Sequence, residues 1–259
     1  MKPYYDQDGI TIYHGDCREI LPQLTQPVDL VMTSPPYDNL REYNGGYSWN
    51  FNDTAMQLVR LLSVGGTMVW VVADATIDGS ETGTSFRQAL WFKELGLRLH
   101  DTMIWVKDGG GAIGSNKSYI QNFEYMFVFA KGDIRTFNLL RDKPNLSYGQ
   151  EKSEVGRRRT NGDHKIEVRK PSSEFSRRNN WWYIPPEKGD HPAVYPESLA
   201  TDHIISWSNR GDLVLDPFFG SGTTAVAAKK LGRKCIGIEI EEKYCEIAVK
   251  RLAQSVMAL

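Results

Sequence analysis

The sequence lacks several things, and each absence narrows what the chain can be. No apolar run approaches the length of about 18 residues that spans a bilayer, which argues against a membrane protein. The opening MKPYYDQDG has no apolar core of a secretory signal, so a cytoplasmic location is expected. Cysteine is scarce: Cys17, Cys235 and Cys245 are the only three, without C-x-x-C spacing. That argues against a disulfide framework or a zinc cluster, and no metal is expected. There is no internal repeat and almost no net charge, −1 over 259 residues. An apolar content of 41% is that of an ordered globular chain. The length suits one α/β domain carrying a sizeable insertion, or one and a half small domains.

The near-zero net charge hides an uneven distribution. Residues 133–180 hold twelve Lys and Arg against seven Asp and Glu, while the rest of the chain holds 19 against 25. A basic segment on an acidic body suits phosphate contacts concentrated in one place, although a solvated loop reads the same way.

Short apolar runs alternate with helix-length stretches, the pattern of an α/β fold with a mostly parallel sheet. Strands are predicted at 10–14, 28–32, 67–73, 97–106, 124–130, 213–215 and 235–240, with helices at 53–63, 86–95, 196–207 and from the turn after 216 through 231. Between 106 and 124, DGGGAIGSNK marks a loop. From residue 133 the chain is polar, basic and without clear periodicity. It carries Arg157-Arg158-Arg159 and Arg177-Arg178 and closes on Asn179-Asn180-Trp181-Trp182-Tyr183. We read 133–185 as an inserted region between 1–132 and 186–259, which together form one domain.

The most informative stretch is LVLDPFFGSGTTAVAAKKLGRKCIGIEI. A buried strand ends in Asp216, and Gly220-Ser221-Gly222 then turns the chain into a helix opening at Thr223. Glycines there permit a tight turn and a close approach of a ligand to the backbone. Glu239 ends the next strand, where a carboxylate can accept from both hydroxyls of a ribose. Gly220-x-Gly222-x-x-Ala225 also fits the loose dinucleotide fingerprint, so an NAD site competes. A P-loop is excluded, because no Gly-Lys-Ser/Thr follows the turn.

The string Asp216-Pro-Phe218-Phe-Gly220-Ser-Gly222-Thr223-Thr is similar to motif I of amino-directed DNA methyltransferases, and it separates the two nucleotide readings. The resemblance implies S-adenosylmethionine as cofactor, with Glu239 as the ribose-binding acid. It also implies that Asp16, in His14-Gly15-Asp16, is the acid near the adenine ring. By itself that acid reads equally as a helix N-cap. Pro192, after His191, and Ser198 resemble the helix that lines the methionine end of the pocket.

Thr33-Ser34-Pro35-Pro36-Tyr37 follows the strand 28–32. Pro-Pro after a strand is ordinarily a stop signal. Ser-Pro-Pro-Tyr, however, resembles the family's catalytic motif, and in doubly wound sheets ligands bind outside the carboxyl ends of strands at the switch point. An exocyclic amine is a poor nucleophile because its lone pair is delocalised into the base. Acceptors aimed at its N–H bonds favour a tetrahedral nitrogen and offset the developing positive charge. Ser34 and the Pro35 carbonyl can be those acceptors, Pro36 rigidifies the turn, and Tyr37 offers a stacking face to an extracted base. Cytosine C5 chemistry would need a cysteine thiolate, in that family within a Pro-Cys dipeptide, and none is present.

The order of catalytic strand, basic insertion and cofactor motif resembles the circularly permuted β-type arrangement. It implies a Rossmann-like S-adenosylmethionine-dependent methyltransferase fold of about seven strands, mostly parallel with one antiparallel. The middle region is then the target-recognition region for double-stranded DNA, with Arg41, Arg157, Arg158, Arg159, Arg177 and Arg178 as candidate DNA contacts. Asp38, Asn39 and Tyr43 continue from the catalytic motif. Ser34 in place of Asp resembles the cytosine-N4 subset. Adenine-N6 methylation and, from another class, a non-catalytic nucleic-acid-binding protein with a relict fold are the alternatives. A homodimer and a companion restriction endonuclease are left open.

Overall fold

A computed structural model describes residues 1–36, 51–107, 119–146, 148, 155–158, 164–167, 173–187 and 195–254. The chain starts with β1 (Tyr5–Gln7) and β2 (Ile10–His14), then α1 (Cys17–Ile20) and β3 (Val28–Thr33). Next come α2 (Phe51–Leu61), β4 (Leu62–Val72), the small hairpin β5 (Thr76–Ile77) and β6 (Ser80–Glu81), α3 (Thr84–Glu94), β7 (Arg98–Val106) and β8 (Phe123–Ala130). The middle of the chain forms β9 (Lys143–Pro144), β10 (Val155–Arg158), β11 (His164–Glu167), β12 (Phe175–Ser176) and β13 (Trp181–Tyr183). It ends with α4 (Glu197–Trp207), β14 (Leu213–Asp216), α5 (Thr223–Lys230), β15 (Lys234–Glu239) and α6 (Glu242–Gln254).

The main sheet runs β1-β2-β15-β14-β3-β4-β8-β7-β13. From β2 to β7 this is seven strands, all parallel except β8. Two short strands extend it beyond the seven expected, β1 antiparallel on β2 and β13 parallel on β7. Trp181–Tyr183, read with the insertion, therefore belongs to this sheet. The hydrophobic rhythm explains the centre: β14 is buried throughout and β3 nearly so, as strands covered on both faces must be.

Helices α1, α2 and α3 pack on one face, around Trp70, Phe92 and Phe129. The alternate strand positions Leu30, Met32, Val69, Val71 and Val214 turn to the other face. There α4 lies on β3 and β4, and α5 on β15. In α2, Thr54, Ala55, Leu58 and Leu61 are buried, a single helical stripe. The predicted helix boundaries hold to within a residue or two, and the sequence reading starts β4 five residues late. Gly66 lets Leu62 and Thr67 both pair with β3 across an irregularity, since a Cβ there would sit 2.9 Å from the Ser63 carbonyl oxygen.

From β3 the chain crosses through α2 to β4; from β14 it crosses through α5 to β15, in the opposite direction along the sheet. The crossovers part between β14 and β3. Their shared carboxyl-terminal edge is thus the crevice of a doubly wound sheet.

The chain divides into two compact units, Met1–Asn138 with Asn180–Leu259, and Leu139–Asn179. The second unit contains the two-residue ladder β9–β12 and the hairpin β10–β11, in which Arg157 pairs with Lys165 and Arg158 with His164. Among the described residues no helix is long and apolar enough to cross a membrane.

Candidate functional site

The crevice is built from strand ends. β14 and β3 pair with Val214 opposite Leu30 and Leu215 opposite Val31, so Asp216 falls level with Met32 at the carboxyl edge, one residue before Thr33. The Thr33 hydroxyl donates to Asp216 Oδ1 at 2.6 Å, and the Phe218 N–H donates to the same oxygen at 3.1 Å. Oδ2 accepts from the Tyr195 hydroxyl at 3.1 Å and from the Thr224 hydroxyl. Asp216 is 1% exposed, and its burial raises its pKa against the four donors that lower it. Read from the sequence as a cofactor contact, Asp216 spends its acceptors on the protein itself.

The turn after Asp216 takes the conformation that only glycine adopts cheaply: φ is +52° at Gly220 and +82° at Gly222. A Cβ on Gly222 would lie 2.7 Å from the Ala248 Cβ of α6, so this glycine admits the close approach of a neighbouring helix. Gly237 in β15 makes room for the Phe219 ring, which a Cβ would meet at 2.3 Å. An isolated glycine inside a strand is the sequence signal of such an approach. Phe218, half-buried, sets its ring edge-on to Trp70, 6.4 Å between centroids. Thr223 is buried and accepts from Arg251 of α6, whose guanidinium also donates to the Ser221 carbonyl and hydroxyl at 2.9 and 3.1 Å.

Glu239 ends β15 beside this turn. Oε2 accepts from the Gly220 N–H at 2.7 Å and Oε1 from the Glu241 N–H at 2.9 Å. Burial to 8% exposure raises its pKa, and the two N–H bonds hold it down in part. One bond to each oxygen fixes the carboxylate while leaving further lone pairs to accept from a ligand. Asp16 lies close by, because the Gly15 N–H donates to the Glu239 carbonyl at 2.8 Å. Its side chain caps α1 through the Arg18 N–H at 2.8 Å and pairs with the Arg18 guanidinium. A fixed, acceptor-rich edge of two carboxylates next to a Gly-rich turn fits a cofactor bearing a ribose diol and an amino-substituted ring.

On the catalytic side Ser34 is half-buried, Pro35 buried and Pro36 half-buried. Tyr37 and Arg41, with Asp38, Asn39 and Tyr43, lie outside the described residues, as do Arg159, His191 and Pro192. Ser198 is exposed in the first turn of α4. Tyr195, three residues before it, is the residue that this segment brings to Asp216. In the second unit Arg177 is exposed, whereas Arg178 is bound by Asp142, Nε to Oδ2 at 2.8 Å. That guanidinium holds the Asp142 carboxyl below its usual range.

All three cysteines are buried and free. Burial pushes the Cys17 and Cys245 thiols up to about 12, and it raises the Cys235 thiol too. None is poised as a thiolate nucleophile.

Compared with known proteins, residues 28–250 match the DNA methylase family of N6 and N4 methyltransferases. The chain belongs to that family. It is 51% identical over 249 residues to the orphan methyltransferase M.BamHII of Bacillus amyloliquefaciens, covering 92% of this chain and 90% of that one. The crystal structure of the M1.HpyAVI–SAM complex superposes with a TM-score of 0.63 at 27% identity, covering 94% of this chain and all of that one. The cytosine-N4-specific PvuII DNA methyltransferase, at 20% identity, shares the fold with a TM-score of 0.69 over 96% of this chain and 88% of that one. This DNA methylase is thus an S-adenosylmethionine-dependent enzyme on the Rossmann-like methyltransferase fold.

Proposed function

We propose that this DNA methylase transfers a methyl group to the exocyclic N4 of cytosine, in a base turned out of double-stranded DNA at a specific site. The observation that carries the reading is the parallel pairing of β3 with β14, which sets the Ser34 end of one strand against the cofactor turn that opens from the other. A base inside the duplex cannot reach a crevice at a sheet edge, so it must leave the stack.

Bound S-adenosylmethionine supplies an activated methyl group on a sulfonium. Glu239 would accept from its ribose hydroxyls, Asp16 would hold its adenine end, and Gly220 and Phe218 would contact it. The Ser34 hydroxyl and the Pro35 carbonyl accept the two N–H bonds of the target amine, drawing its nitrogen toward tetrahedral geometry. Pro35 and Pro36 hold those acceptors without reorganisation. Tyr37 stacks on the base, and its replacement by Ala should weaken binding of the turned-out base by about 1–3 kcal/mol. Arg41, Arg157, Arg158, Arg159 and Arg177 take phosphates, and the inserted region 133–185 reads the target.

Serine rather than aspartate at position 34 favours cytosine. Digestion of methylated DNA to nucleosides followed by mass spectrometry should yield N4-methylcytosine. N6-methyladenine alone would overturn the base assignment and leave the mechanism, whereas 5-methylcytosine would overturn both.

A further inference from the structure

The buried carboxylate of Asp216 gathers donors from four separate places: the last residue of β3, the turn after β14, the second residue of α5, and the segment before α4. One of these ties does not serve the cofactor turn. Thr33, fully buried, reaches across from the neighbouring strand, and its own carbonyl carbon is bonded to the nitrogen of Ser34. The β3 ladder ends at Thr33. The 2.6 Å Thr33–Asp216 bond thus ties the strand down at the point from which the Ser34 and Pro35 acceptors depart.

We propose that Thr33 is a positioning residue for methyl transfer: held by Asp216, it sets where the Ser34–Pro35 acceptors stand relative to the cofactor turn. The proposal rests on the reading that those acceptors face the target amine. The same carboxylate accepts the Phe218 N–H, so a single buried group references both reactants' cradles to one point. A misplacement of about 1 Å costs on the order of a hundredfold in rate where two reactants must meet in line. A bond of this kind then acts on the chemical step and leaves binding alone.

The test uses the full chain, with single-turnover methyl transfer to duplex DNA and calorimetric titration of S-adenosylhomocysteine. Thr33→Val keeps the shape and removes the donor. It should slow the single-turnover rate at least about tenfold while the cofactor-product affinity stays within about twofold of wild type. Thr33→Ser keeps the donor and should restore most of the rate. Thr33→Cys, a weaker donor of similar size, should fall between and serves if the valine variant does not fold. In the Ser34→Ala background the loss from Thr33→Val or Thr33→Cys should shrink, because the acceptor that it positions is gone.

A wild-type rate in Thr33→Val or Thr33→Cys overturns the proposal. So does an equal loss with Ser, a loss confined to affinity, or full additivity with Ser34→Ala. If Ser34→Ala itself leaves the rate unchanged, the reading of Ser34 as an acceptor fails; if Ser34→Ala slows transfer and Thr33→Val does not, only the positioning role fails.

Discussion

The two units of this methylase each cohere by a different kind of force. In the sheet unit, whole strands are buried and the polar groups among them are tied off, as at Asp216. In the Leu139–Asn179 unit none of residues 139–146 or 173–179 is buried, and the ladders are two to four residues long. Its fixed points are exposed polar contacts, such as Arg178 with Asp142 and the Asn145 amide nitrogen on the Ser173 carbonyl at 3.0 Å. Salt does not screen apolar burial and, where it acts, strengthens it, whereas exposed ion pairs are weakened by screening. The sheet unit is thereby built to keep one geometry, while the fixed points of the inserted unit yield to ionic strength.

The sharpest way to break that contrast is to remove one carboxylate from each unit. Asp216→Ala leaves three hydroxyls and an N–H without their acceptor in a dry interior, and it should cost about 3 kcal/mol or more in thermal or urea unfolding. Asp142→Ala removes an exposed pair and belongs at the other end of the scale, with under about 1 kcal/mol expected in the same measurement. Comparable losses would mean that the inserted unit carries more of the stability than its exposure indicates.

Between these extremes lie two effects on ligands. Replacing Arg157, Arg158 and Arg159 by Ala should flatten the salt dependence of DNA binding, the logarithmic slope falling by about one for each phosphate that an arginine had neutralised. An unchanged slope, measured by fluorescence anisotropy across a salt series, would assign these arginines to solvation alone. The fourth effect is a pH dependence confined to the sheet unit. Burial raises the Glu239 pKa, and hydroxyls that donate to it favour its ionised form. With Glu239 as the ribose acceptor, affinity for S-adenosylhomocysteine should be full above that raised pKa and should decline as pH falls through it. Glu239→Gln should bind more weakly and lose the decline; a Gln variant with the wild-type profile would move the titrating group elsewhere.

The sheet unit was legible because its signals are local and strict. Gly220 and Gly222 stand where φ is positive, Glu239 closes an apolar run, and β3 reads as a strand because it is buried on both faces. What the sequence hid was mutual arrangement. Nothing near Thr33 or Tyr195 announces that both donate to one carboxylate 183 and 21 residues away. The reason Gly222 must be glycine was half visible: the turn demanded it, but Ala248, the neighbour that also forbids a side chain, lies on α6. Trp181–Tyr183 followed a basic, irregular stretch and so read as its end, because parallel pairing with β7 leaves no local mark. The inserted unit was legible only as composition, since strands of two residues are set by their partners and not by their own periodicity.

The β3–β14 seam also has a temporal side. Thr33 and Asp216, the last residues of its two strands, are 183 residues apart, so β3 leaves the ribosome long before the strand that will cover its open edge. At about 5–20 residues per second the wait is roughly 10–40 seconds. Through that interval the emerging polypeptide has no crevice, hence no assembled pocket and no means to modify a genome. Activity arrives only once β14 has followed β3 out of the ribosome, and a product terminated between the two strands is born inert.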